Sequence, residues 1–219
     1  MARLLFEKTG RAVWISHLDL MRLFQRAFKR AGMTLKHTQG YNPRPTVSIA
    51  LPLSVGMHSF CELLDFEIEN ENIAPELIKS TLNHALVDGI CALDVYQNGR
   101  KLKDLSLLRC VLTLEYDAHV AKCAAAELSE LFNSPSLTVE KKGKNGVIEQ
   151  DIIPLVRSLK VNCENDDYLT IDTVICCQNP SLNPMQLIAA IERYRPELKP
   201  DHVVCKRLEI MDAEEQIFR

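Results

Sequence analysis

The order of strand-like and helix-like segments restricts this chain to few folds. Strand-like segments alternate apolar and polar residues, whereas helix-like segments repeat apolar residues at spacings of three and four. Residues 3–7 predict a strand, and a second short strand is predicted over 12–15 after a turn at Thr9-Gly10. From there to residue 96 the order is helix, strand, strand, helix, strand. Counted with the initial strand, this is typical of the ferredoxin-like split βαβ arrangement.

The first helix has clear start and stop signals. Ser16 is a good N-cap, and Asp19 three residues later completes a pattern resembling a capping box. Gly32 suits the position that ends the helix in a left-handed conformation. Five apolar residues at helical spacing predict its buried face: Leu18, Met21, Phe24, Phe28 and Ala31.

A similar order of elements follows a short polar linker over residues 98–106. It contains a strand, a helix, a hairpin with a Lys-rich tip that includes Lys141, Lys142 and Lys144, then a strand, a helix and a last strand. The Asn-Gly pair at the tip favours a tight hairpin turn. We therefore predict an α+β protein of two ferredoxin-like subdomains with mainly antiparallel sheets, over residues 1–98 and 107–219.

Positive charge is concentrated at the start of the chain. Residues 1–45 contain nine Lys or Arg residues and two acids, a net charge of +7, so the remaining 174 residues carry −10 of the total of −3. Such asymmetry indicates either an anionic partner or an acidic face elsewhere in the same chain. The sequence leaves both interpretations open.

Several functional classes lack support in the sequence. No run of about 18 apolar residues occurs, and the N-terminus does not resemble a secretory signal. The eight cysteines are expected to be free thiols, because no export signal precedes them and their spacing fits neither zinc nor iron–sulfur sites. We therefore expect a cytoplasmic protein with no membrane partner, no cofactor and no metal site.

Two basic features make the first subdomain the candidate binding region. Arg22, Arg26 and Lys29 form a stripe on the first helix. In the loop over residues 40–45, Arg44 lies between two prolines and presents a fixed fork for phosphate. Tyr41 offers a face for base stacking and Asn42 a polar contact, so RNA is a reasonable ligand. A solvated helix face and a structural corner are the alternatives.

His17 and Asp19 are the candidate catalytic residues. A neutral imidazole in the first turn of the helix could accept or relay a proton, and Asp19 or Arg44 could assist it. If these residues share one pocket with Tyr41 and Asn42, the pocket suits an anion or a base. The alternative is that Asp19 only caps the helix and His17 is a surface residue.

Three runs of sequence resemble the radical-SAM-linked protein family. They cover residues 15–22, 26–32 and 40–45, and the similarity continues through Val55-Gly56 to Glu62. This is a bacterial domain of unknown function, found alone or fused to the C-terminus of B12-binding radical SAM proteins. The resemblance is firm over residues 3–65 and covers the remainder mainly in element order. Its members are often encoded near a ribosomal protein or a ribonuclease, which implies work on RNA.

Three hypotheses follow from the residues and the resemblance together. The first is a radical-SAM-associated accessory protein that binds RNA or another anionic ligand through its basic module. The second is an interaction subunit that docks a separate radical SAM protein without contacting nucleic acid. The third is a small enzyme with His17 as general base, and the sequence supports both a catalytic and a non-catalytic chain.

Overall fold

A computed structural model describes residues 1–69, 72–97, 99–143, 146–163 and 165–219. The chain divides into two compact units, Met1–Leu102 (with Arg219) and Lys103–Phe218. Within the described ranges, no helix is both long and apolar enough to span a membrane.

The first unit contains two helices packed on a four-stranded antiparallel sheet, counted over the described residues. Its elements in chain order are β1 (Ala2–Lys8), α1 (His17–Arg30), β2 (Val47–Ile49), β3 (His58–Phe66), α2 (Pro75–Ala85) and β4 (Ile90–Gln97). The strand order is β4-β1-β3-β2, and each neighbouring pair is antiparallel. This order is that of a ferredoxin-like fold.

Aromatic side chains hold α1 against the sheet. The ring of Phe24 meets that of Phe6 edge-on, with centroids 4.7 Å apart, and Phe28 lies 4.8 Å from Phe66. All four rings are fully buried. Burying one such side chain stabilises the fold by about 1.5–3 kcal/mol, so these two pairs fix which face of α1 is turned away from solvent.

The predicted limits of α1 are close to those observed, with two corrections nearby. Ser16 Oγ accepts a hydrogen bond from the Asp19 amide, and Gly32 adopts a φ of +71° after the helix. Leu18, expected in the core, is 67% exposed. Residues 12–15 do not form a strand, because Gly10–Trp14 folds as a 3-10 helix.

The second unit repeats the same topology with one insertion. Its elements are β5 (Leu107–Glu115), α3 (Ala121–Phe132), β6 (Thr138–Gly143), β7 (Gly146–Asp151), β8 (Val156–Cys163), β9 (Tyr168–Cys176), α4 (Met185–Tyr194) and β10 (His202–Met211). The sheet order is β10-β5-β9-β8, with each neighbouring pair antiparallel. The hairpin β6-β7 forms a separate two-stranded sheet.

The sequence pattern predicts the hairpin but no strand over 156–163, where the structure has β8. Only one face of this edge strand is partly covered, and its residues lack a clean apolar alternation. Periodicity is therefore a weak signal there. The hairpin itself is anchored at its base by the buried side chains of Ile152 and Leu155.

The predicted class, α+β with two ferredoxin-like subdomains and mainly antiparallel sheets, is confirmed. The division into domains at residues 98 and 107 stays a prediction, and Asn98 lies outside the described residues. Lys144 at the hairpin tip and the side chain of Lys142 also lie outside the described residues.

Candidate functional site

A surface groove of about 510 Å³ runs along α1, and we call it the arginine groove. Three arginines and one aspartate line it, together with apolar side chains that include Ile15 and Val87. The charged members are Asp19, Arg22, Arg26 and Arg30. Three positive charges against one negative charge give the groove a formal charge of +2.

Helical geometry explains why the three arginines meet. Arg22, Arg26 and Arg30 follow one another at intervals of four, so each lies about one turn beyond the previous one. The buried Phe24 and Phe28 fix the opposite side of α1. Of the predicted stripe, Arg22 and Arg26 line the groove, which continues with Arg30 instead of Lys29. The roles of Arg22, Arg26 and Lys29 as ligand contacts stay predictions. The unbroken four-residue spacing is the signal that could have identified Arg30.

Two of the three guanidinium groups are held in place. Arg22 Nη1 donates to Asp19 Oδ1 at 2.9 Å, and Arg30 Nη2 donates to the Ala85 carbonyl at 2.6 Å. The hydrogen bond from Ser16, followed by that from Arg22, lowers the pKa of the Asp19 carboxyl. Among the residues that the structure describes, Arg26 forms no ion pair or side-chain hydrogen bond. Arg26 is thus the arginine of the groove with the most capacity for an external anion.

Like charges at four-residue spacing oppose helix formation. Each such pair costs a helix about 0.2–0.5 kcal/mol, and Asp19 is the single carboxylate in the described lining of the groove. An anion bound between the arginines would relieve this repulsion. The groove therefore combines preset donors with a charge imbalance that a phosphate or carboxylate ligand can correct.

Part of the positive charge at the start of the chain is neutralised or used internally. Arg3 is buried beside Asp65, with 2.6 Å between Arg3 Nε and Asp65 Oδ1. Lys8 is only 1% exposed, and its ammonium donates to backbone carbonyls. The excess of +7 consequently overstates the surface charge, because these two cations face the interior.

The proline-containing loop lies far from the start of α1. The loop precedes β2, whose first residue, Val47, is aligned through Phe66 with Ala2 at the beginning of β1. His17, in contrast, follows the end of β1. The seven residues of β1 separate the two positions by about 20 Å. This topology argues against the interpretation that both motifs share one pocket.

Hydrogen bonds between Thr38 and Arg44 close the loop, and its side chains are exposed to solvent. The Thr38 amide donates to the Arg44 carbonyl at 2.8 Å, and the Arg44 amide donates to Thr38 Oγ1 at 3.0 Å. Tyr41, Asn42 and Arg44 are exposed, Tyr41 completely. Their roles as ligand contacts stay predictions for a second, separate surface.

His17 is half-buried in the first turn of α1. Asp19 is two residues away, and side chains at that spacing do not face each other on a helix. Across the described part of the chain, no hydrogen bond or ion pair joins the His17 side chain to another residue. In the same residues, no group of three or more His, Cys, Asp or Glu side chains could hold a metal ion. The general-base role of His17 stays a prediction.

Comparisons with known proteins identify a family and a fold. The sequence model of the family DUF2344, described as an uncharacterized protein conserved in bacteria, matches residues 2–184. Among solved structures, the chain is similar to one in the crystal structure of a Cbf5-Nop10-Gar1 complex, with a TM-score of 0.52 and 8% sequence identity. The match covers 95% of this chain and 48% of that one, so this chain spans about half the length of its structural relative.

That similarity shows a shared fold alone, because the sequence identity is low. A crystal structure of an unknown protein from Galdieria sulphuraria aligns with 94% of this chain and 96% of its own length, at 9% identity. Its TM-score of 0.26 is too low to support a shared fold. A search of curated proteins found no match.

Proposed function

We propose that this chain, which belongs to the bacterial family DUF2344, is an RNA-binding protein. The observation that carries the proposal is the arginine groove, which three arginines and one aspartate of a single helix face line together. Guanidinium groups suit phosphate because they donate several hydrogen bonds in a fixed planar fork.

The shape of the groove favours a chain of phosphates over a single small anion. Arg22 and Arg30 are eight residues apart on α1, a distance of about 12 Å along the helix axis. Donors distributed over that length match consecutive phosphates of a nucleic acid strand. The exposed Tyr41 and Arg44 offer a second contact surface at the other end of the unit.

The resemblance to radical-SAM-linked proteins extends this proposal. In that form the chain is an accessory protein that presents RNA to a separately encoded radical SAM enzyme, which brings its own cluster. The chain would then contribute affinity and orientation, and the partner would contribute the chemistry.

The test compares two neutralised cations on the same helix. Binding of a labelled RNA hairpin at low salt is measured by fluorescence anisotropy for the wild type, Arg26→Gln and Lys29→Gln. Arg26→Gln should weaken binding about tenfold or more, because hydrogen bonds to charged groups contribute about 1.5–3 kcal/mol. Lys29→Gln removes the same charge beside the groove and should have a smaller effect. Equal effects would argue against the groove, and no RNA affinity in the wild type would exclude the function.

The second candidate is a protein partner with an acidic surface that faces the arginine groove. It is favoured by Leu18, an apolar side chain that is exposed at the start of α1 near the groove. A separate radical SAM enzyme could dock there without nucleic acid. Leu18→Ala should then greatly weaken coelution of the purified chain with the purified enzyme while leaving RNA binding intact, because it removes apolar surface without changing the charge of the groove. Failure of the wild type to coelute would remove this candidate.

A further inference from the structure

Trp14 is the one tryptophan of the chain and is 71% exposed. Large aromatic side chains usually bury most of their surface, so an exposed indole calls for an explanation. Trp14 ends the 3-10 helix that precedes α1, and the next residue, Ile15, lines the arginine groove. The Cα atoms of these two residues are about 3.8 Å apart. Trp14 is therefore the immediate chain neighbour of a residue that lines the groove.

The backbone on both sides of Trp14 is fixed by a buried lysine. Lys8 Nζ donates to the Val13 carbonyl at 3.0 Å and to the Ile15 carbonyl at 2.8 Å. Burial lowers the pKa of the Lys8 ammonium, and the charge of Glu62 opposes that effect. A buried ammonium is costly unless its donors are used, and here it anchors the two carbonyls that flank Trp14.

A turn in the segment before β3 supports the ring itself. The Gly56 amide donates to the Val13 carbonyl at 2.9 Å. A Cβ atom placed on Gly56 would lie 3.5 Å from Cζ3 and 3.8 Å from Cη2 of Trp14. Gly56 has a φ of +86°, which suits glycine. The indole thus rests against the turn and keeps most of its surface open.

We propose that Trp14 is a stacking platform for an unpaired base of the RNA whose phosphates occupy the arginine groove. This inference rests on the proposed function and narrows its ligand to single-stranded RNA. Proteins that bind single strands combine a positive groove with an aromatic side chain on which a base stacks. A duplex presents its bases already stacked, and its phosphates alone would reach the arginines.

A protein partner is the competing occupant of this surface. Leu18 and Val55 are also exposed, at 67% and 52%, and a protein interface would use them together with Trp14. A stacked base needs the aromatic ring alone. Leu18→Ala therefore serves as the matched control, because it removes a neighbouring apolar side chain without removing a stacking surface.

The experiment uses the full chain. The fluorescence of Trp14, the single tryptophan, reports binding to the wild type and to Leu18→Ala, and the anisotropy of labelled oligouridine reports binding to every variant, including those that lack the tryptophan. An unstructured oligouridine of about a dozen nucleotides, an RNA duplex of similar length and inorganic polyphosphate are titrated in turn. Oligouridine should quench Trp14 and bind roughly 5- to 150-fold more weakly to Trp14→Ala, the range expected for one stacked base. Trp14→Phe should retain much of the affinity. Binding of duplex and polyphosphate, measured by competition with labelled oligouridine, should change little in either variant.

The outcomes separate this inference from the function on which it rests. If oligouridine binds Trp14→Ala and the wild type equally well, stacking is refuted and RNA binding through the arginines stands. If the wild type binds polyphosphate but neither RNA, the proposed function fails as well. A loss in Leu18→Ala equal to that in Trp14→Ala would point to a protein-type interface and refute stacking. Matching thermal unfolding midpoints of the variants establish that a loss reflects binding.

Discussion

Arg3 and Asp65 lie directly opposite each other on β1 and β3, with 2.6 Å between Arg3 Nε and Asp65 Oδ1 and 3.0 Å between Arg3 Nη2 and Asp65 Oδ2. Both residues are buried, at 5% and 9% exposure. Burial alone would lower the pKa of the Arg3 guanidinium, but the hydrogen bonds and charge of Asp65 outweigh it and the pKa is raised. This pair removes one arginine from the surface that the sequence assigns to a ligand.

Neutralising Asp65 should destabilise the chain strongly. In Asp65→Asn the Arg3 guanidinium stays buried without its counter-charge, and breaking a buried pair in this way costs about 3–5 kcal/mol. The measurement is the free energy of unfolding in urea. Glu76→Gln is the control, because it breaks an exposed pair with Lys79 and should have little effect. Similar losses in the two variants would contradict the structural role of Arg3.

Removing the N-cap of α1 should cost about 1 kcal/mol. Ser16 Oγ accepts from the Asp19 amide at 3.2 Å and donates to Asp19 Oδ2 at 2.8 Å, and Ser16→Ala deletes both interactions. Ser80→Ala is a matched control within α2, where the hydroxyl bonds to the Leu77 carbonyl and caps no helix. Equal unfolding free energies for the two variants would argue against the capping role.

Local signals in the sequence identify most of the fold. The cap at Ser16, the stop at Gly32 and the spacing of Phe24 and Phe28 locate α1 because each reports a property of nearby residues. The segment around Val13 is misread as a strand for the opposite reason. Its carbonyls are bound by the Lys8 ammonium and the Gly56 amide, and apolar periodicity carries no information on such tertiary contacts.

The candidate site is predictable in part. Charge spacing points to Arg22 and Arg26, and the same four-residue interval would have added Arg30, which lines the groove together with Val87. The topology argues against the expected pocket with both His17 and Tyr41, because the two motifs lie near opposite ends of β1. Proximity across a sheet depends on strand order, which the motifs themselves do not encode.

Tyr116 should make the second unit sensitive to alkaline pH. Its hydroxyl donates to the Leu198 carbonyl at 3.0 Å, and burial raises the pKa of Tyr116 to about 12. The pKa of an unfolded tyrosine is about 10, so the folded chain holds its proton more tightly. The resulting stability is complete below pH 10 and is lost as the pH rises from about 10 towards 12.

Tyr116→Phe tests this dependence. The variant should lose about 1 kcal/mol at neutral pH through the missing hydrogen bond, and its unfolding free energy should then fall less steeply than that of the wild type above pH 10. Tyr41→Phe removes a hydroxyl from an exposed position and serves as the control. Parallel pH profiles for the wild type and Tyr116→Phe would contradict the assignment.

The salt dependence of RNA binding should distinguish the contribution of the arginines from that of Trp14. If Arg22, Arg26 and Arg30 each neutralise one phosphate, the slope of log K against log salt for single-stranded RNA should be about −2, since each contact contributes about −0.7. Arg26→Gln should reduce the slope by about 0.7. Trp14→Ala should lower the affinity at every salt concentration without changing the slope, because a stacked base displaces no counterion. Fluorescence anisotropy between about 50 and 200 mM salt measures both quantities. A slope that Arg26→Gln leaves unchanged would show that the phosphates bind elsewhere, and the arginine groove would lose its assignment.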